Sequence, residues 1–181
     1  MKITQIRYYD GARDKIGRLG LANLFLELQQ LLLDTKIFLK EERDANGAAI
    51  VRQAIDSAFV AAKGWDNKKS GDVDWIKRVK YNESIVSRLG VELQVSARSD
   101  LVVRDLVHLR NKLQEGEIDV GVMVLPSDQL QVFLPDRTPS FKDAIRYVEV
   151  EFKEAQNFPI VIIAIEHDGP GPALKKQARR S

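Results

Sequence analysis

The sequence predicts an α/β fold, a central mixed β-sheet flanked by helices. Three observations predict it. Two near-continuous apolar runs of strand length, IDVGVMVLP (118–126) and PIVIIAI (159–165), have the character of strands covered on both faces. Leucines recur at helical spacing in LANLFLELQQLLLDTKIFLKEE (21–42). The run GVELQVS (90–96) alternates apolar and polar residues and leads into a helical pattern, SDLVVRDLVHLRNKLQEG (99–116).

In chain order, ITQIRYY (3–9) is a short first strand, and 21–42 is a helix broken by DANG (44–47). AAIVRQAIDSAFVAAKG (48–64) is a second helix closed by Gly64. WDNKKSGD (65–72) is a polar loop. DVDWIKRV (72–79) and SIVSRLGVELQVS (84–96) form a hairpin with its turn in between. The helix at 99–116 has Ser99 as its N-cap and Gly116 as its stop. DQLQVFLPDRTPS (128–140) is irregular, and SFKDAIRYVEVEFKEAQN (140–157) is a helix capped by Ser140. This order describes one α/β domain over residues 1–168 with an N-terminal helical pair packed on it, and a loose basic tail over 169–181.

Composition narrows the function classes. The 181 residues are 44% hydrophobic and 30% charged, ordinary for a soluble globule. Cysteine is absent, which excludes disulfides, thiolate metal sites and cysteine nucleophiles. Only His108 and His167 are present, which argues against a multi-histidine metal site. No run reaches the roughly 18 apolar residues of a membrane helix, and MKITQIRYYDGARDKIG lacks a signal peptide's apolar core. A cytoplasmic setting is the expectation. The net charge of +2 argues against indiscriminate polyanion binding but leaves local basic patches, Lys63, Lys68, Lys69, Lys77, Arg78 and Lys80 in one stretch and Lys175, Lys176, Arg179 and Arg180 in the tail.

The chemistry-bearing residues gather around GVELQVS. Alternation lines up Glu92, Gln94 and Ser96 on one strand face, opposite Val91, Leu93 and Val95. A hairpin brings Asp74 of the preceding strand beside Glu92. Two carboxylates with nearby carbonyls make a hard oxygen site suited to Mg²⁺, which polarises a phosphate and activates a water. Gln94 is neutral and serves to orient a water. On the following helix Val102, Leu106, Leu109 and Leu113 form a core stripe, and Asp100, Arg104, His108 and Asn111 form the opposite face. A solvated amphipathic helix explains that face equally well, and His108 reads as a surface residue.

The run GVELQVSARSDLVVRDLVHLRNKLQEGEIDVGVMVLPSD (90–128) resembles the BglII/BstYI family of type II restriction endonucleases, relatives of BamHI. The shared pattern is a strand with Glu-x-Gln, a helix, and an IDVGV-like strand ending in Leu-Pro. The likeness extends to the N-terminal helices, the AAKGW corner and the PIVIIAI strand. It implies a PD-(D/E)xK nuclease core, with the family's metal-binding Asp and Glu, and the Gln that replaces its usual lysine, on Asp74, Glu92 and Gln94. The metal would rest on Asp74, Glu92 and the Leu93 carbonyl. The family's DNA-reading segment falls on Ser96, Ala97 and Arg98, with Arg104 as a further DNA contact and Asn67 as an auxiliary group. One departure is the longer segment between Asp74 and Glu92, where a gapless count places Glu83 at the acidic position. Val-Asp-Trp at 73–75 matches the family's strand start and favours Asp74. The resemblance implies Mg²⁺, double-stranded DNA as substrate, a homodimer, a palindromic site containing GATC, and a cognate DNA methyltransferase as genetic partner. The alternatives are a DNA-binding module on a nuclease-derived fold that no longer cuts, and a nuclease of repair or of a mobile element.

Overall fold

A computed structural model describes residues 1–67 and 73–176. Its centre is a six-stranded sheet. Along the chain come β1 (Lys2–Tyr8), α1 (Ala12–Arg18), α2 (Ala22–Asp34), β2 (Phe38–Leu39), α3 (Ala48–Ala61), β3 (Asp66–Asn67), β4 (Trp75–Tyr81) and β5 (Ser84–Leu93). Then follow α4 (Leu101–Gln114), β6 (Val120–Pro126), α5 (Asp128–Phe133), α6 (Phe141–Arg146), β7 (Ile160–Glu166) and β8 (Gly169–Pro170). The sheet order is β1-β7-β6-β5-β4-β3. β5, β6 and β7 run parallel, and the pairs β1–β7, β4–β5 and β3–β4 are antiparallel.

The sheet is mixed because two connections differ in kind. β4 and β5 meet through a tight turn, which forces antiparallel pairing, whereas β5 reaches β6 through α4 and pairs parallel. β6 and β7 are buried along their whole length, as their uninterrupted apolar runs require. One core, on the face of α1, α2 and α3, includes Leu24, Leu28, Leu32, Ile55, Phe59, Val91 and Leu93. The other, on the face of α4 and α6, includes Ile76, Val102, Leu106, Leu109, Met123 and Val148. The α4 stripe expected from the sequence is therefore core.

Several elements depart from the sequence expectation. α2 stops at Asp34, where the Thr35 hydroxyl donates to the Leu31 carbonyl at 2.8 Å, and the chain then turns extended to form β2. α1 replaces what the pattern left unassigned. The stretch after β6 is not irregular but forms α5, because Ser127 accepts from the Leu130 amide at 3.0 Å and caps it. α4 starts at Leu101 with no side-chain cap, so Ser99 does not fill that role. Ser140 does cap α6, in a reciprocal box with Asp143. That helix is shorter than expected, widening into a π-helical turn over Tyr147–Glu151.

Residues 169–176 of the expected tail lie along the body of the protein. β8 pairs in parallel with β2, the Leu174 carbonyl accepts from the Gly47 amide, and Lys176 pairs with Asp44 at 3.2 Å. Among the described residues no helix is long and apolar enough to cross a membrane.

Candidate active site

The register of the β4–β5 hairpin builds the site. Trp75 pairs with Val91 and Ile76 with Gly90. One step further places Asp74 opposite Glu92. Asp74 Oδ2 accepts from the Leu93 amide at 2.8 Å, which ties its carboxylate to the end of β5. At the other end of the hairpin Tyr81 pairs with Ser84, and only Asn82 and Glu83 make the turn, both with positive φ (46° and 68°). The extra length between Asp74 and Glu92 thus lies in two long strands and a bulge near Val79, not in a long turn. Glu83 sits at the exposed tip, a full strand away from Glu92, and is not brought to the site.

α3 holds Asp74 from the other side. Arg52, Asp56 and Phe59 are spaced so that they share one face of this helix. Phe59 stacks on the Trp75 ring at 5.0 Å between centroids, and the Trp75 indole donates to Asp56 Oδ1 at 3.1 Å. Arg52 pairs with Asp56 at 2.8 Å and with Asp74 Oδ1 at 2.9 Å, and donates to the Leu93 carbonyl. One guanidinium therefore occupies the carboxylate and the carbonyl that the sequence assigned to a metal. Their orientation towards a cation is built into the fold.

Both faces of β5 are covered at its end, which answers why it carries Glu, Gln and Ser in register. Glu92 and Gln94 are buried at 3% and 2% exposure. Glu92 points at α4, where His108 Nδ1 lies 3.4 Å from its Oε1 and Asp105 is also buried. Among the described residues no hydrogen-bond donor reaches that Oε1. Burial, followed by the charges of Asp74 and Asp105, pushes the Glu92 carboxyl up to about 10. Burial also pushes Asp105 up to about 6, against the lowering pull of Arg104, whose guanidinium lies 3.1 Å from Asp105 Oδ1. Three carboxyl groups thus crowd one partly dry volume, served by Arg52 on one side and Arg104 on the other.

Gln94 faces the chain that follows it. Its amide nitrogen donates to Ser96 Oγ and to the Arg98 carbonyl, each at 3.1 Å. It therefore shapes the turn between β5 and α4. Within that turn Ser96 is half-buried, while Ala97 and Arg98 are exposed. Arg98 pairs with Asp100 at 2.7 Å. Asn67 lies beside the site, its amide donating to the Asp74 carbonyl at 3.3 Å. Of the expected basic stretch, Lys77 pairs with Glu27, and Arg78 pairs with Asp66. Lys68 and Lys69, like Arg179 and Arg180, lie outside the described residues.

Arg52 and Asp105 had not been singled out from the sequence, and His108 had been read as surface. The signals were present. Arg52 and Asp56 are an i, i+4 pair in a helix otherwise rich in alanine. Asp105 and His108 are an i, i+3 pair on the helix that follows the Glu-x-Gln strand directly.

The chain is similar to the type II restriction enzyme BamHI of Bacillus amyloliquefaciens, 25% identical over 120 residues. That alignment takes in 60% of this chain and 55% of BamHI, so the chain spans about half the length of the curated relative it matches. The family model described as restriction endonuclease BglII/BglIII matches residues 6–165, from β1 through β7, with the hairpin, α3 and α4 all inside it. A match of that extent, over a sheet of this order, shows that the chain belongs to the BglII/BglIII restriction endonuclease family.

Proposed function

We propose that the protein is a Mg²⁺-dependent type II restriction endonuclease. It hydrolyses phosphodiester bonds of double-stranded DNA at a palindromic site containing GATC, and it acts as a homodimer. The observation that carries the reading is the opposition of Asp74 and Glu92 across the hairpin, with a buried Glu92 oxygen that meets no hydrogen-bond donor among the described residues. Family membership supports the reaction class, and the GATC core rests on the resemblance of the 90–128 run.

The donor set fits the metal. The Asp74 and Glu92 carboxylates and the Leu93 carbonyl are hard oxygens of the kind Mg²⁺ prefers, and two of the three already hold a guanidinium. Bound there, Mg²⁺ supplies Lewis-acid stabilisation of the phosphate and a lowered pKa for a bound water. The remaining work belongs to the chain. Gln94 has no basic atom, so it takes no proton, and its bonds to Ser96 and Arg98 set the turn that meets the DNA. Arg98 and Arg104 present exposed guanidiniums for phosphate or base edges. Asn67 steadies the Asp74 backbone. A two-fold dimer supplies one such site to each strand of a palindrome. The leucine stripes of α2 and α4 are both spent on the core, so the dimer interface falls to the remaining faces of these helices.

The grip of Arg52 on Asp74 and Leu93 favours one other reading, a DNA-binding module that no longer cuts. Incubation with plasmid and phage DNA, in Mg²⁺ and in EDTA, separates the two. Discrete bands in Mg²⁺ alone are expected. Retarded but intact DNA would replace restriction with the binding module, and a smear would replace it with a nonspecific nuclease.

A further inference from the structure

Asp105 and His108 leave the same face of α4, and the crossover from β5 to β6 lays that face over Glu92. One ligand atom from each of Glu92, Asp105 and His108 lies within 4.8 Å of the other two. The Glu92 side chain is 4% exposed, and its Oε1 is at once the oxygen without a donor among the described residues and the one that faces the imidazole. Leaving such an atom bare carries its full desolvation penalty, and folded proteins leave few of them. A cation held among these atoms gives Glu92 Oε1 its partner and offsets the crowding of carboxylates.

We propose that Glu92, Asp105 and His108 form a second cation site, selective for a divalent transition metal such as Mn²⁺ or Zn²⁺. The selectivity follows from the donors. Two carboxylates and an imidazole nitrogen suit Mn²⁺ and Zn²⁺, whereas Mg²⁺ prefers oxygen alone. Arg104 already holds Asp105 Oδ1, which orients that carboxylate. Glu92 would be shared between this site and the proposed Mg²⁺ ligands Asp74 and the Leu93 carbonyl. Only that sharing rests on the nuclease reading, because Asp105 and His108 serve no part of it.

The test uses the full chain without DNA. Mn²⁺ binding is measured by electron paramagnetic resonance of the free ion, in a large excess of Mg²⁺. The wild-type chain and Asp74→Asn should each hold one Mn²⁺ under these conditions. His108→Ala should weaken that binding by more than ~10-fold, since even losing a group that merely supports a ligand commonly costs that much. Equal Mn²⁺ affinity in His108→Ala and wild type would overturn the proposal. So would loss of the ion in Asp74→Asn, which would place it at the Mg²⁺ position. Should His108→Ala fail to fold, the unmodified chain decides. It has only two histidines, so added Zn²⁺ should shift the His108 ring signals in NMR, and an unmoved His108 ring overturns the site. Loss of DNA cleavage with Mn²⁺ binding intact in Asp74→Asn would separate this site from the nuclease reading.

Discussion

Arg52 Nη2 lies 2.9 Å from Asp74 Oδ1, and the same guanidinium donates to the Leu93 carbonyl. At the proposed metal position, a cation from solution would compete with this fixed guanidinium for the same two oxygens. Arg52→Met should tighten Ca²⁺ or Mg²⁺ binding to the DNA-free chain, as read by calorimetry. It should also destabilise the fold by about 1–3 kcal/mol, because Asp56 and Asp74 lose a charge-assisted partner. Unchanged metal affinity would mean that Arg52 does not guard the site.

Glu92→Ala should abolish cleavage while leaving specific DNA binding measurable in Ca²⁺, because it removes a proposed metal ligand and no base contact. Asp74→Ala should be equally inactive. Glu83→Ala should cut at the wild-type rate, because Glu83 lies at the far tip of the hairpin. Glu83→Gly should even stabilise the protein by about 1 kcal/mol, since φ of 68° suits glycine. An inactive Glu83→Ala beside an active Asp74→Ala would overturn the assignment.

The Glu92 carboxyl sets a pH dependence in EDTA. Its folded pKa of about 10 lies above the ordinary 4.5, so between these values the folded chain holds a proton that the unfolded chain has released. The stability this group contributes is full below pH 4.5 and falls as pH rises towards 10. Glu92→Gln keeps the neutral shape and cannot ionise. Its melting temperature should exceed that of wild type, by more at pH 8 than at pH 5, at roughly 2–4 °C for each kcal/mol. A difference independent of pH would refute the burial of the charge.

Arg98 should act on binding and not on chemistry. If it reads a guanine edge, Arg98→Ala costs about 1–3 kcal/mol and relaxes one position of the site. If it meets only phosphate, all sequences weaken alike and the salt slope falls. Asp100 competes for the same guanidinium, so Asp100→Asn should tighten DNA binding. Filter-binding isotherms at two salt concentrations check all three, and an unchanged Kd in Arg98→Ala removes it from the interface.

Sedimentation at micromolar concentration should give twice the 20.5 kDa chain mass. Mapped ends of a plasmid digest should fall at GATC-containing palindromes. Cuts elsewhere would sink the sequence preference and leave the nuclease activity standing.

How much of this was legible beforehand follows from how local each signal is. β6 and β7 were readable because burial on both faces leaves a continuous apolar run. That Asp74 and Glu92 come near each other was readable because a short turn makes their strands antiparallel neighbours, whereas their direct opposition also needs the bulge near Val79, which shifts the register by one residue and which no residue type announces. α5 was missed because its single cap, Ser127, precedes a segment crowded with prolines. Arg52 was missed because its role arises from α3 packing across β4, a contact between residues far apart in the chain. Asp105 was missed because its neighbours Leu106 and Leu109 draw attention to the core stripe, whereas a polar residue at the edge of that stripe also faces the sheet.

Gln94 joins the end of β5 to the turn at Ser96–Arg98 through two hydrogen bonds from one amide. Two segments fastened in this way shift together, so on the proposed reading a turn displaced by a mismatched base pair would drag Glu92 out of line as well. Errors would then be rejected twice, by looser attachment and by slower cutting once attached. An enzyme made in this way would owe part of its fidelity to a buried amide that braces the turn from behind, and loosening that one amide should make it careless before it makes it weak.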